Sequence, residues 1–303
     1  MSFSREQLEK LTHQAIDAAR TAGELIAEHR NQAITIGQKA LGTSQASQII
    51  TDVDHKAQAV ILEQLLPSLK DYDLALLSEE APDDGRRHNK PAFWCIDPMD
   101  GTLAFANNKP GFSVSISLVA RNGSPLIGVV YDPVEKTTYH ALHNQGAFKN
   151  NHPITPPQLD MNRPLTLRTD YSFQSDTRLQ QTQSGLETIA DRIGVEGAEI
   201  EFHIGAVSNA CSVLEEPNTC YFKYPRPDAS GGSLWDYAAT ACICQEAGAV
   251  ASDIFGNPMD LNRVDSTFMN HRGLLFAGHK MLAKEIIALN ERLNHDYNKS
   301  SQE

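Results

Sequence analysis

The chain has 303 residues, 41% of them hydrophobic and 21% charged, enough to bury a real core in one large or two modest domains. Its net charge of −12 argues against a general binder of nucleic-acid polymers or anionic membranes, though not against a phosphorylated small molecule, because a bound cation reverses the local field. No run of about eighteen apolar residues predicts a membrane span. The opening residues MSFSREQLEK carry no apolar leader. Five cysteines, at 95, 211, 220, 242 and 244, form no CxxC pair and predict buried free thiols. Together these features predict a cytoplasmic protein.

Ser4 to about Asn31 predicts a long amphipathic helix. Ser4-x-x-Gln7 is a capping box, and Leu8, Leu11, Ala15, Ala18, Ala19, Ala22, Leu25 and Ile26 recur at helical spacing. Residues 32–48 mix Gly, Ser and Gln around Ile34 and Ile36, which suggests a short strand and a mobile loop. A second helix follows, capped by Thr51 or Asp52 and turning Ala57, Val60, Ile61, Leu65 and Leu69 inward. Within it, Asp54 taken alone is a solvated first-turn carboxylate that complements the helix dipole. Leu74 to Leu77 predicts a short strand that delivers Ser78-Glu79-Glu80 at its carboxyl end, where α/β proteins place ligands. The blander alternative is that both glutamates simply start a polar loop.

The next stretch carries the most chemistry. Ala92 to Ile96 predicts a buried strand, and Asp97-Pro98-Met99-Asp100-Gly101-Thr102 follows at once. Pro98 fixes its own φ and steers Asp97 out of helical geometry, so both carboxylates are expected on a rigid turn at the strand end. Gly101 permits close backbone approach, and its N–H with that of Thr102 can face an anion where a helix begins. Two hard carboxylates beside such a backbone suit Mg²⁺ bridging to a phosphate. The same residues also compose an ordinary turn, so the rest of the chain has to decide.

Phe112 to Val119 alternates apolar and small polar residues and predicts a strand; Gly128–Pro133 and Thr137–Leu142 extend it into a meander closed by Asn144–Phe148. Two helices followed mostly by strands predict an α+β fold rather than a regular βαβ repeat. The Pro-rich residues 150–164 mark a boundary between an N-terminal half, 1–155, holding most of the acids, and a C-terminal half, 156–303. In that second half, strands are expected at Leu165–Arg168, Glu199–His203 and Gly273–Gly278. Helices are expected at Arg178–Ile193, at Ala206–Leu214 with Asn209 inside it, from Leu234 to a stop at Gly248 with Asp236 in the first turn, and at Met281–Leu293. Ser230–Gly232 reads as flexible, and the tail from Asp296 as frayed.

Taken in order, Thr51-x-x-Asp54, Ser78-Glu79-Glu80, Trp94-x-x-Asp97-Pro98-Met99-Asp100-Gly101-Thr102 and Trp235-Asp236-x-Ala238-Ala239 with Glu246-Ala247-Gly248 resemble the inositol monophosphatase superfamily, the lithium-sensitive, Mg²⁺-dependent phosphatases. The resemblance spans roughly residues 4 to 295, and four motifs in sequence are specific where each alone is weak. It implies a layered α/β/α/β/α sandwich, usually a homodimer, acting on a small phosphorylated metabolite with two or three Mg²⁺ per site. It also implies roles. Glu79, Asp97 and the Met99 carbonyl would hold a first metal. Asp97, Asp100 and Asp236 would hold a second, and Asp54 a weaker third or an outer place. Glu79 with Thr102 would orient the attacking water, and the Gly101 and Thr102 N–H groups would hold phosphate.

Substrate contacts are expected at Gly101, Thr102, Asn209, Arg226 and Asp236. Ser78 in place of the usual Gly, and Tyr224-Pro225-Arg226, resemble the bisphosphate nucleotidase branch, where Arg226 would hold a second phosphate or else be a surface Arg. The inositol-contacting glutamate has no counterpart; Ala229 or a neighbour occupies that region. Leu103-Ala104 lacks the Lys-Glu of bacterial nucleotidases, and Asn209 is nearer the inositol branch. The expected substrate is therefore a 3′-phosphorylated nucleotide such as adenosine 3′,5′-bisphosphate, with inositol 1-phosphate second and a sugar bisphosphate third. A catalytically idle binding homologue is disfavoured, because every metal-site acid is present.

Overall fold

A computed structural model of the chain describes residues 3–30, 36–38, 49–203, 205–228 and 232–300. Most of the loop expected over 32–48, Ile34 included, lies outside them, as do Ala229, Ser230 and Gly231. In chain order the elements begin with α1 (Arg5–His29), β1 (Ile36–Gln38), β2 (Ile49–Thr51) and α2 (Asp52–Asp71). A seven-stranded sheet follows in strictly sequential order: β3 (Ala75–Ser78), β4 (Ala92–Asp100), β5 (Ser113–Ala120), β6 (Pro125–Asp132), β7 (Thr137–Leu142), β8 (Ala147–Lys149) and β9 (His152–Pro153), with α3 (Thr102–Ala106) inserted after β4. Only β3 and β4 pair parallel in it.

The second part of the chain supplies β10 (Leu165–Asp170), α4 (Leu179–Ile193), β11 (Ala198–His203), α5 (Ala206–Ser212), β12 (Thr219–Lys223), α6 (Leu234–Ala247), β13 (Val250–Ser252), β14 (Leu274–Ala277) and α7 (Lys280–Ser300). Its five strands run β11-β10-β12-β14-β13. Mixed sheets of this kind need helices on both faces, and the core divides accordingly. Leu11, Ala15, Ala19 and Ile26 of α1 join Ala57, Ile61 and Leu65 of α2 over Trp94, Ile116 and Leu118, covering the outer face of the first sheet. Between the sheets lie α5 and α6, their Val207, Ala210, Tyr237 and Ala241 packed with Phe93, Val130, Tyr221 and Phe276. On the far face of the second sheet, Leu186, Ile189, Leu282 and Ile286 of α4 and α7 cover Leu167, Phe222 and Leu275. The result is the expected α/β/α/β/α sandwich.

Strand β5 explains how α6 comes so close to the first sheet. Val114, Ile116 and Leu118 face the outer core, while the alternate positions Ser113, Ser115 and Ser117 present only small side chains inward. Neighbouring β6 contributes Gly128, where an added Cβ would lie 2.3 Å from the Ala239 carbonyl oxygen of α6. Ser115 Oγ uses the same approach to donate to the Trp235 carbonyl at 3.0 Å. All five cysteines are buried and free, as expected from their surroundings. No helix among the described residues is long and apolar enough to cross a membrane.

Two expectations are corrected here. The turn expected at Asp97-Pro98-Met99-Asp100 is instead a continuation of β4, which runs on to Asp100 through a β-bulge. Pro98 is tolerated because the bulge already interrupts the ladder there. The last helix extends to Ser300 rather than fraying from Asp296, since nothing between Met281 and Ser300 is Gly or Pro.

Candidate active site

The bulge is what makes a site from two acids three positions apart. In a regular strand, residues i and i+3 point to opposite faces. Here Asp97 pairs with Ser115 and Asp100 with Ser113, so three steps on β4 match two on β5. The extra residue returns Asp100 to the face that Asp97 occupies, the one turned toward α5 and α6. Met99 N–H donates to Asp97 Oδ1 at 2.9 Å and locks the kink.

Asp236 comes to the same place from α6. It is the third residue of that helix, and its Oδ2 accepts the Ser233 N–H at 2.8 Å. Oxygens of Asp97, Asp100 and Asp236 lie within 4.8 Å of one another. Glu79 follows β3 directly; its N–H donates to the Ile96 carbonyl at 3.1 Å, and its carboxyl hydrogen-bonds Asp97. Asp100 is held from the opposite side, where the Ala206 and Val207 N–H groups at the start of α5 donate to its two oxygens at 3.2 and 2.9 Å.

Asp54 is not the solvated acid expected from the residues alone. It is 1% exposed and closes a capping box, its Oδ2 accepting both the N–H and the hydroxyl of Thr51 at 2.7 and 2.6 Å. Thr51 is thus the cap of α2. The remaining oxygen of Asp54 accepts the Thr102 hydroxyl at 3.0 Å, which also reaches the Met99 carbonyl at 3.1 Å. Gly101, in the left-handed region at φ 82°, turns the chain from β4 into α3 beside these groups.

Two predicted substrate contacts fall differently. Asn209 is buried on α5 and its Nδ2 reaches Asp170 Oδ1 at 3.4 Å. Arg226 is 40% exposed, pairs with Asp228 at 3.3 Å and lies in the field of Asp176. Ser78, flagged as a departure, donates its hydroxyl to Gln58 Oε1 on α2 at 2.5 Å. Sequence reasoning missed Lys223 and Asp170, at the ends of β12 and β10. They pair at 2.5 Å against the ring of Tyr237, and the Lys223 charge offsets part of the burden on Asp236. A lysine closing an otherwise apolar strand, Cys220-Tyr-Phe-Lys, was the available signal.

Electrostatics agree with a cation site. Burial, then the Glu79, Asp236 and Asp100 charges, push the Asp97 carboxyl well above the ordinary carboxylate range. Asp100 is pushed the same way by burial and Asp236, against the opposing pull of its two backbone donors. Burial and Glu79 push Asp236 up to about 7, with Ser233 N–H and Lys223 opposing. Hard carboxylate oxygens, with neither His nor Cys among them, fit Mg²⁺, whose charge would relieve this repulsion.

The sign of the resulting pH dependence follows. Between the ordinary carboxylate pKa of about 4 and the raised values, the folded protein binds protons that the unfolded chain has released. Stability of the metal-free protein is therefore greatest at the acid end and falls as pH climbs from about 5 to about 8. Thermal unfolding in EDTA is expected to show that decline, and added Mg²⁺ is expected to stabilise more at pH 8 than at pH 5. A flat profile would contradict the crowded acids.

The model of the inositol monophosphatase family matches residues 7–295. The chain belongs to that family. Among curated relatives, the inositol-1-monophosphatase of Bacillus subtilis is 25% identical over 267 residues, which is 88% of this chain and 91% of that protein. The Nus factor SuhB of Vibrio cholerae is 30% identical over 243 residues, 80% and 84% of the two chains. Among solved structures, the Thermotoga maritima IMPase superposes with a TM-score of 0.71 at 20% identity, covering 95% of this chain and 99% of that one, which shows the shared fold. Family membership makes the protein a phosphoric monoester hydrolase.

Proposed function

We propose that this family member hydrolyses a small phosphorylated metabolite by direct attack of water, with Mg²⁺ held by Glu79, Asp97, the Met99 carbonyl, Asp100 and Asp236. The observation that carries the reading is the convergence of Asp97, Asp100 and Asp236 within 4.8 Å, produced by a bulge and a helix cap rather than by a solvated acidic surface. Bound there, Mg²⁺ would neutralise the phosphate oxygens, make water more nucleophilic and steady the leaving oxygen. The chain's own residues do the positioning. Asp54 fixes the Thr102 hydroxyl, which with the Glu79 carboxyl orients the attacking water. Backbone N–H groups of Gly101 and Thr102 hold the phosphate. Asp100, pinned by the first amides of α5, ties the end of β4 to that helix. A homodimer, a cytoplasmic location and the division into halves 1–155 and 156–303 belong to the same proposal.

As substrate we favour a polyol phosphomonoester of the inositol 1-phosphate type. Arg226, the residue nominated for a second phosphate, is engaged by Asp228 and faces Asp176, so that argument for a bisphosphate nucleotide weakens. Relatives named inositol-1-monophosphatase support the same choice. Comparison of kcat/KM with Mg²⁺ for inositol 1-phosphate and adenosine 3′,5′-bisphosphate tests it. A preference of about a hundredfold for the former is expected, roughly 2.7 kcal/mol of differential transition-state binding. The reverse preference would move the protein to the nucleotide branch, and absence of phosphate release from either would overturn the hydrolase assignment to these substrates.

A further inference from the structure

The inward face of β5 carries three serines, and two of them have an evident use. Ser117 Oγ donates to the Ile127 carbonyl at 2.7 Å, and Ser115 Oγ to the Trp235 carbonyl at 3.0 Å. The third, Ser113, is 1% exposed, and its hydroxyl has no partner among the described residues. It is the cross-strand partner of Asp100. Directly opposed residues of an antiparallel pair share a face, with Cβ atoms about 4.5–5.5 Å apart. The orphaned hydroxyl therefore stands beside the Asp100 carboxylate, on the face where Asp97 and Asp236 converge.

Size alone does not explain a serine there. Alanine is no larger and would not strand a hydroxyl in the core, which costs stability unless a polar partner is supplied. Asp100 does not provide that partner: its two oxygens accept from Ala206 and Val207, and no hydrogen bond joins it to the Ser113 hydroxyl. Magnesium gives up its waters reluctantly and is bound through one or two carboxylates plus retained waters, each of which needs an acceptor. A serine hydroxyl can both accept and donate.

We infer that Ser113 is a positioning residue for the cation: its hydroxyl accepts a hydrogen bond from the hydration shell that Mg²⁺ keeps on its Asp100 side, and so sets metal affinity. The inference rests on the metal site proposed above. It predicts opposite signs for one substitution, which a purely structural role does not. In Ser113→Ala, the metal-free protein in EDTA melts at the same temperature or higher, because an unsatisfied hydroxyl has been removed. The Mg²⁺ concentration giving half of the maximal stabilisation rises about tenfold, the lower end of the loss typical for groups that hold a metal's outer ligands. Ser113→Thr keeps the hydroxyl and is expected to retain the wild-type Mg²⁺ response whatever its methyl does to the melting temperature.

Ser117→Ala is the control, and it shows the reverse pattern: a lower melting temperature in EDTA and an unchanged Mg²⁺ response. The experiment is a thermal melt of each full-length protein in EDTA and across a Mg²⁺ titration, with the metal alone as probe. If wild type responds to Mg²⁺ and Ser113→Ala responds identically, the role of Ser113 is overturned while the metal site stands. If wild type itself shows no response, the metal site falls and the inference with it.

Discussion

Asp97→Asn is expected to lower kcat/KM by about a thousandfold or more, roughly 4 kcal/mol of transition-state stabilisation, while making the metal-free protein more stable. Both halves come from the position of this residue. Asp97 lies between Glu79 and Asp236, hydrogen-bonded to each, and is the one acid proposed to serve both metals. Loss of its charge weakens each cation site at once, so the damage exceeds that of an acid serving one metal. The fold has no reason to suffer. An Asn Oδ1 can keep the 2.9 Å bond from Met99 N–H, and its amide group gives Glu79 or Asp236 a donor that an ionised carboxylate lacks. Relief of that repulsion should be worth on the order of 1–3 kcal/mol at the alkaline end of the range. Melting curves in EDTA and steady-state kinetics with saturating Mg²⁺ test the two halves separately. Near-wild-type turnover would refute the metal assignment, and a less stable apo variant would refute the crowded-acid account.

The acids were legible from the sequence because their chemistry lies in short motifs, but their geometry was not. Asp-Pro-x-Asp-Gly composes a turn by every local rule. What keeps Asp97 to Asp100 in the sheet is pairing with Ser113 and Ser115 across β5, a long-range choice that no window around Pro98 contains. Asp54 fails for a similar reason. Its first-turn position suggested solvent, whereas the chain turn after β4 brings Thr102 onto it, and it is buried. Helices α1, α4 and α6 were read nearly to the residue because Ser4, Gly194 and Gly248 mark their ends through backbone conformation, which is local. Lys223 and Asp170, 53 positions apart, meet only because β10 and β12 are neighbours in the second sheet.

Gly101→Ala is expected to cost about 3–5 kcal/mol of stability and most of the activity, whereas Gly85→Ala should cost only about 1 kcal/mol and leave turnover intact. The two glycines have nearly the same backbone, φ 82° and 72°, so the intrinsic penalty for placing an L residue there is shared. Their surroundings separate them. Around Gly85 an added Cβ meets nothing within 4 Å. At Gly101 it would lie 2.2 Å from the Gly111 carbonyl oxygen and 3.0 Å from the Phe112 Cα, backbone atoms that cannot rotate aside. Gly205, which leads into α5, would press a Cβ on the same oxygen at 2.4 Å, so yielding in that direction is blocked as well. Relief has to come from moving Asp100–Thr102 off β5, which opens the bulge and draws Thr102 from Asp54 and Asp100 from the amides of α5. Urea unfolding midpoints and kcat for the two variants check this. Equal stability losses would mean that only the left-handed backbone matters, and that the contact of Gly101 with Gly111 does not hold the acids in register.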